Sequence, residues 1–297
     1  MKLKENMRVQ NHGNDNKLEE FDKWLQEIGD GRTHHIDEQD SLIALPAQIC
    51  AKINDKEQEK SQNDAIDFTF GDMRMESEKP DWMNYVSSRA ILATTNNQVD
   101  AINKLGLNRL PGEEITIASA DSTIVPDDAA HYPVEYINSL QAAGIPLHTL
   151  TLKKRSVVML LRNLSIRGGL CNGTRLIIQD VTERLIIGKI ASGVAIGRMV
   201  LIPKIQMQPA DCSEYGFEWH KYQFPVRVAF AMTIHKSQGQ TLKKVVVWLQ
   251  EPCFGHGQFY VAASRVGDPD NIKFFVKSKE DQPDFTTNSI VYTELLK

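Results

Sequence analysis

Residues 229–242 read "AFAMTIHKSQGQTL". A short apolar lead-in, Ala229 to Met232, runs through Thr233 and Ile234 into seven polar or glycine positions, His235 to Thr241. A buried strand that empties directly into polar side chains is the pattern of a strand ending at the carboxyl edge of a parallel sheet, where ligands bind. Turns at that edge present backbone donors at helix starts. Here Lys236 adds a point charge, and Thr233, Ser237 and Thr241 add hydroxyls. His235 and Gln238 can donate, and Gly239 permits close backbone approach. Such a set suits a nucleotide phosphate or an oligonucleotide backbone. A polar cap on an ordinary α/β turn has the same composition, and both readings stand at this level.

The same grammar recurs along the chain. "RAILATTNNQVDAINKL" (89–105) is a short apolar strand, a polar turn, and a helix with Val99 and Ile102 facing inward. "KKVVVWL" (243–249) is a strand followed by a glycine-rich turn and the helix "GQFYVAASRV" (257–266); "IKFFVK" (272–277) is a last strand. Strand-then-helix alternation predicts an α/β domain on a parallel sheet flanked by helices. Leu18, Phe21, Trp24, Leu25 and Ile28 share one face of an amphipathic helix over 14–31, while 54–81 read as a loop or surface helix. The middle differs. Three apolar strands fill 174–207 with no helix between them, which predicts a β-meander or small barrel inserted into the α/β domain.

Composition narrows the function classes. The 297 residues suffice for one large domain or two modest ones. A net charge of −4 gives no global attraction to nucleic acid, so any such site is a local patch. Cys50, Cys171, Cys212 and Cys253 form no CxxC pair, which argues against a zinc site or a disulfide framework. No apolar run approaches the roughly 18 residues of a membrane span and no signal peptide opens the chain; the expectation is a cytosolic or nuclear protein without membrane partners.

Two further segments carry charge in suggestive places. Arg265 lies on the otherwise apolar "GQFYVAASRV" helix, where it can reach an anion bidentately or simply snorkel to solvent. "VMLLRNLSIRGGLCNGTRLII" (158–178) sets Arg162, Arg167 and Arg175 around a glycine-rich turn, with Lys153, Lys154 and Arg155 just before it. It is either a basic patch or a solvated loop. No GxxxxGK[ST] loop occurs, so the chain builds no triphosphate cradle by itself. Asp37 and Glu38 follow no apolar run and make a poor metal-binding strand end; no metal ligands are expected.

Taken together, "ENMRVQ", "FDKWLQEIGDG", "ILATTNNQVDAINKL", "LPGEEITIASADS", "YPVEYINSL", "VMLLRNLSIRGGLCNGTRLII", "VLIPKI", "QFPVRVAFAMTIHKSQGQTL" and "GQFYVAASRV" resemble the C-terminal half of a superfamily-one DNA helicase of the petite-integration-frequency (Pif) type, with a likeness to copies related to Helitron transposons. The pair "LLRNL…GLCNGTRL" and "TIHKSQGQTL" carries most of the specificity. The resemblance implies the second of two RecA-like lobes, at 89–170 and 223–297, entered by a helical segment over 1–88. A small β-barrel would be inserted at 171–222. It implies ATP and Mg2+, both held mainly by a first lobe that this chain lacks, and single-stranded DNA and duplex junctions as partners in the nucleus. His235, Lys236, Ser237 and Thr241 would contact DNA, with Thr95, Asn96 and Arg162 along its path. Gln238, Gly239 and Arg265 would face the nucleotide, Arg265 as the arginine finger and Arg8 as a second arginine reaching the γ-phosphate. The implied activity is 5′-to-3′ translocation and duplex unwinding. The missing cradle leaves a second expectation open: a stand-alone DNA-binding or interaction module without ATPase activity.

Overall fold

The computed structural model describes residues 16–33, 36, 42–278, 282–292 and 294. Arg8, Asp37 and Glu38 lie outside them. The chain divides into two compact units, one of 1–72, 88–106 and 230–297, the other of 73–87 and 107–229.

The first unit is built on a five-stranded, wholly parallel sheet. Its order is Ala231–Thr233, Arg89–Ala93, Lys244–Leu249, Ile272–Lys277, Cys50–Ile53. The central strands are near-continuous apolar runs because helices cover the sheet, and Ile91, Leu92, Val245 to Val247 and Phe274 are fully buried. The helix Gln58–Phe70 packs Ala65, Ile66 and Phe70 inward. Residues 54–81 are therefore not a surface segment: Phe70 meets Phe230 edge-on at 5.7 Å between ring centroids. The first helix, Asn16–Gly29, buries Leu18, Phe21, Leu25 and Ile28 as its periodicity predicts, and Trp24 stands edge-on to both Phe259 and Phe274. The helix Asn96–Arg109 follows the Arg89–Ala93 strand directly. Its Asn103 lies buried against the edge strand, donating to the Ala231 carbonyl (3.1 Å) and accepting from the Ala231 amide (2.8 Å). One side chain thus satisfies a backbone donor and acceptor that no neighbouring strand reaches. The helix expected over 257–266 is shorter, Gln258–Ala263.

The second unit is antiparallel. A five-stranded sheet runs Met199–Pro203, Leu185–Ile190, Arg175–Val181, Val157–Leu160, Val226–Val228; three- and two-stranded sheets accompany it. Its core gathers Val158, Leu160, Leu176, Ile178, Ile186, Ile190, Ile202, Phe224 and Val226. The meander read over 174–207 is present, but no sheet among the described residues closes into a barrel. The unit is also larger than the expected 171–222 insert. Residues 107–170, assigned to the parallel lobe, contribute strands that pair antiparallel with the meander and with each other. Short apolar strands look alike in sequence whichever sheet takes them, so pairing alone decides. The stretch 226–233 shows this most sharply: Val226–Val228 ends one sheet and Ala231–Thr233 edges the other.

Candidate functional site

Parallel strands deliver their carboxyl ends to one edge. Thr233 is in register with Ala93, so the segments that follow, 234–240 and 94–96, emerge side by side. The first is a single 3-10 turn, Ile234–Ser237. Ile234 is its buried anchor. Ser237 is also fully buried, and its hydroxyl donates to the Ile234 carbonyl at 2.7 Å. Ser237 is therefore a structural strut of the turn rather than a DNA contact. The amide of Gln240 donates to the Ser237 carbonyl (3.0 Å), and its side chain to the Lys236 carbonyl (3.0 Å). Gly239 has φ of 79°, and a Cβ there would meet nothing within 4 Å. The left-handed backbone alone accounts for a glycine here, and the space beside it is open. His235, Gln238, Gly239 and Thr241 are exposed and Lys236 is half-buried.

Beside this turn, Thr94 is buried with its hydroxyl on Gln98 (3.2 Å) and on the Glu251 carbonyl (3.5 Å). Thr95 is half-buried, and Asn96 is exposed at the start of its helix. The structure thus brings Thr95, Asn96, His235 and Lys236 to the carboxyl edge of one sheet. Thr241 instead lies toward the opposite edge, because the chain has crossed back by Lys243, whose amide donates to the Ser88 carbonyl ahead of the Arg89–Ala93 strand.

Arg265 does not point into open space. It is 5% exposed. Its Nε donates to the Val261 carbonyl (2.6 Å). One terminal nitrogen donates to the carbonyls of Ser237 (3.2 Å) and Gln240 (2.9 Å), the other to Ser264 Oγ (2.8 Å). The Arg265 carbonyl in turn accepts from the Leu242 amide at 2.9 Å. The guanidinium sits beneath the 234–240 turn and ties the last helix to it. The expected convergence with Arg8 falls outside the described residues.

Gln258, a residue the sequence reading passed over, is 1% exposed, and its Oε1 accepts from the successive amides of Phe254 (2.9 Å) and Gly255 (3.0 Å). Its GQ dipeptide at a helix start was the available signal. Cys253 in the same loop is buried, which pushes its thiol up to about 12 and leaves it no nucleophile near neutral pH.

Most cations of the patch read over 153–175 are engaged within the fold, while Arg167 is exposed. Arg175 is fully buried, donating to the carbonyls of Ser87 (2.7 Å), Val86 (3.4 Å) and Ala229 (2.9 Å). Burial pushes its guanidinium down to about 10, still charged at neutral pH. Lys153 is buried on the Leu110 carbonyl (3.1 Å), Arg155 donates to the Ser77 carbonyl (2.9 Å), and Lys154 pairs with Asp180 (2.9 Å). Arg162, half-buried, donates to the Gln208 carbonyl (3.0 Å) within the antiparallel unit. Among the described residues no cluster of His, Cys, Asp or Glu could hold a metal ion.

Comparison with known proteins gives this arrangement a context. The family description "DNA helicase Pif1, 2B domain" matches residues 135–181, inside the antiparallel unit. The ATP-dependent DNA helicase PIF1 of Xenopus laevis is 29% identical over 193 residues, 61% of this chain and 26% of that protein. Its human counterpart is 30% identical over 175 residues, 59% and 25%. Over these stretches the chain is similar to Pif1 helicases. It spans about a quarter of the length of these relatives and matches their C-terminal part. The crystal structure of Pif1 helicase from Candida albicans shares its fold at a TM-score of 0.56 and 23% identity, over 93% of this chain and 57% of that one. Pif1 helicase from Bacteroides in complex with ADP-AlF3 and ssDNA does so at 0.52 and 20%, over 88% and 49%. Both the parallel and the antiparallel units therefore fall within the Pif1 fold.

Proposed function

We propose that this chain is the second-lobe part of an ATP-dependent DNA helicase that moves 5′ to 3′ on single-stranded DNA in the nucleus and opens duplex junctions. The observation that carries this reading is a shared turn: 234–240 exposes His235 beside Lys236 and also receives the Arg265 guanidinium on its Ser237 and Gln240 carbonyls.

ATP with Mg2+ would supply the driving hydrolysis, held by a phosphate cradle on another polypeptide segment, since the sequence has no GxxxxGK[ST] loop. Arg265 fits a role toward that nucleotide through its permanent charge and planar donors. Neutralising the charge of a transferred phosphoryl group with such a side chain is worth roughly 10³-fold or more in rate. To act so, Arg265 must give up its carbonyl acceptors on the turn. Ser237 and Gln240 then lose the donors that fix them, and the turn carrying His235 and Lys236 shifts. Nucleotide and DNA are coupled through one set of backbone carbonyls. Arg8 would add a second charge, and Gln238 and Gly239, exposed on the same turn, line the nucleotide side. Thr95 and Asn96 extend the DNA path on this unit, and Arg162 would be a separate DNA contact in the antiparallel unit.

Titrating the chain with single-stranded DNA at several salt concentrations tests the reading. Binding should weaken steeply as salt rises, as phosphate contacts require. Affinity indifferent to salt would remove the DNA-backbone role. The chain alone should show no DNA-stimulated ATP turnover, and turnover would overturn the assignment of the cradle to another segment.

A further inference from the structure

The loop 250–257 has a feature that the phosphate-facing turn leaves unexplained. Phe254 is 63% exposed at the same sheet edge as His235. An isolated exposed apolar side chain needs no explanation, but this one is held in place. The buried Gln258 side chain takes the amides of both Phe254 and Gly255 on one oxygen, which braces the backbone that carries the exposed ring. Gly255 brings that backbone to within van der Waals reach of His235: a Cβ there would stand 3.6 Å from His235 Nε2. The rings of Phe254 and His235 lie 6.4 Å apart at 49°, so neither covers the other's face. Two residues on, His256 stacks on Tyr292 at 5.2 Å and 11°, and Tyr292 is itself exposed. Thr94 ties the loop to the neighbouring strand end through the Glu251 carbonyl. The edge that carries the phosphate-facing Lys236 therefore also carries aromatic faces on a backbone braced by a buried side chain.

We infer that Phe254, with His235 beside it, is a stacking platform for a nucleobase of single-stranded DNA whose backbone is held by Lys236. This rests on the DNA-binding reading above and adds its base-contacting element. Every base has a π-face, so such a platform grips DNA without reading sequence.

The test compares binding of the chain to a short oligothymidylate and to an abasic oligonucleotide of equal length. Base stacking on an aromatic side chain is worth about tenfold in affinity. Wild-type chain should bind the oligothymidylate about tenfold more tightly than the abasic strand. Phe254→Ala should lose that preference while binding the abasic strand as wild type does, and Phe254→Trp should keep it. The exposed position lets all three fold alike, which near-ultraviolet circular dichroism checks. If Phe254→Ala keeps the base preference, the platform is wrong while the DNA reading stands, provided that salt still weakens binding. If wild-type chain binds neither oligonucleotide, the DNA reading falls and the platform with it.

Discussion

The two units use buried positive charge in opposite ways. In the antiparallel unit, Arg175 spends its guanidinium on carbonyls 88, 89 and 54 residues away in sequence. It pins the segment 73–87 and the strand end at Ala229 to its own strand. Lys221, also fully buried, stands 3.0 Å from Asp121 directly across the sheet. These cations hold the fold together and are spent there. In the parallel unit, Arg265 is nearly as buried, yet its acceptors belong to its own helix and to one short turn that bears exposed polar side chains. A buried arginine whose acceptors come from remote scaffold is a staple. One whose acceptors form part of a site can act as a link.

That contrast is open to attack, beginning with its largest consequence. Arg175→Met should leave three buried carbonyls unpaired and cost about 3–5 kcal/mol. On a unit of this size that lowers the melting temperature by roughly 10 °C or more. A loss below about 1 kcal/mol by denaturant titration would mean that water or other donors reach those carbonyls. Arg265→Ala should cost less, about 1–2 kcal/mol, because its turn borders solvent and the released carbonyls can hydrate. It should also change single-stranded DNA affinity without touching a DNA-facing side chain; unchanged affinity would dissolve the link. Lys236→Ala should reduce the slope of log affinity against log salt by about 1. Arg162→Ala, already engaged with a carbonyl, should reduce it less, and the reverse order would move the DNA path onto the antiparallel unit. The smallest effect is electrostatic. The hydrogen bond from Lys154, then that from the Val181 amide, hold the Asp180 carboxyl below its ordinary value. A carboxylate lowered on folding stabilises the protein above its unfolded value and loses that contribution as pH falls through the folded one, so the window lies below about pH 4. Asp180→Asn should slightly flatten the fall of melting temperature below about pH 4; an unchanged acid limb would show the pair to be inert.

Much of the parallel unit was legible because its signals are local. Arg89–Ala93, Lys244–Leu249 and Ile272–Lys277 lie where their apolar runs placed them. Leu18, Phe21, Leu25 and Ile28 bury the face their spacing marks. Within the site, the exposure of His235 and the proximity of Thr95 and Asn96 follow from strands of equal direction ending together. The failures share one cause. Arg175, Lys153 and Ser237 looked available because their residue types usually are. Each instead serves a backbone acceptor: Arg175 and Lys153 reach carbonyls far away in sequence, and Ser237 reaches that of Ile234 within its own buried turn. The limits of the insert failed similarly, since 107–170 carries strands with no mark of which sheet they join.

By itself the sequence determined the parallel-sheet unit, the turn at its edge and the polar side chains that turn displays, because hydrophobic period and turn chemistry act over a few residues. Only the tertiary structure decided which cations are staples, that Arg265 grips the turn, and that Gln258 braces the backbone at Phe254. Desolvation requires each buried donor to find an acceptor, and those acceptors arrive from wherever the chain has folded back.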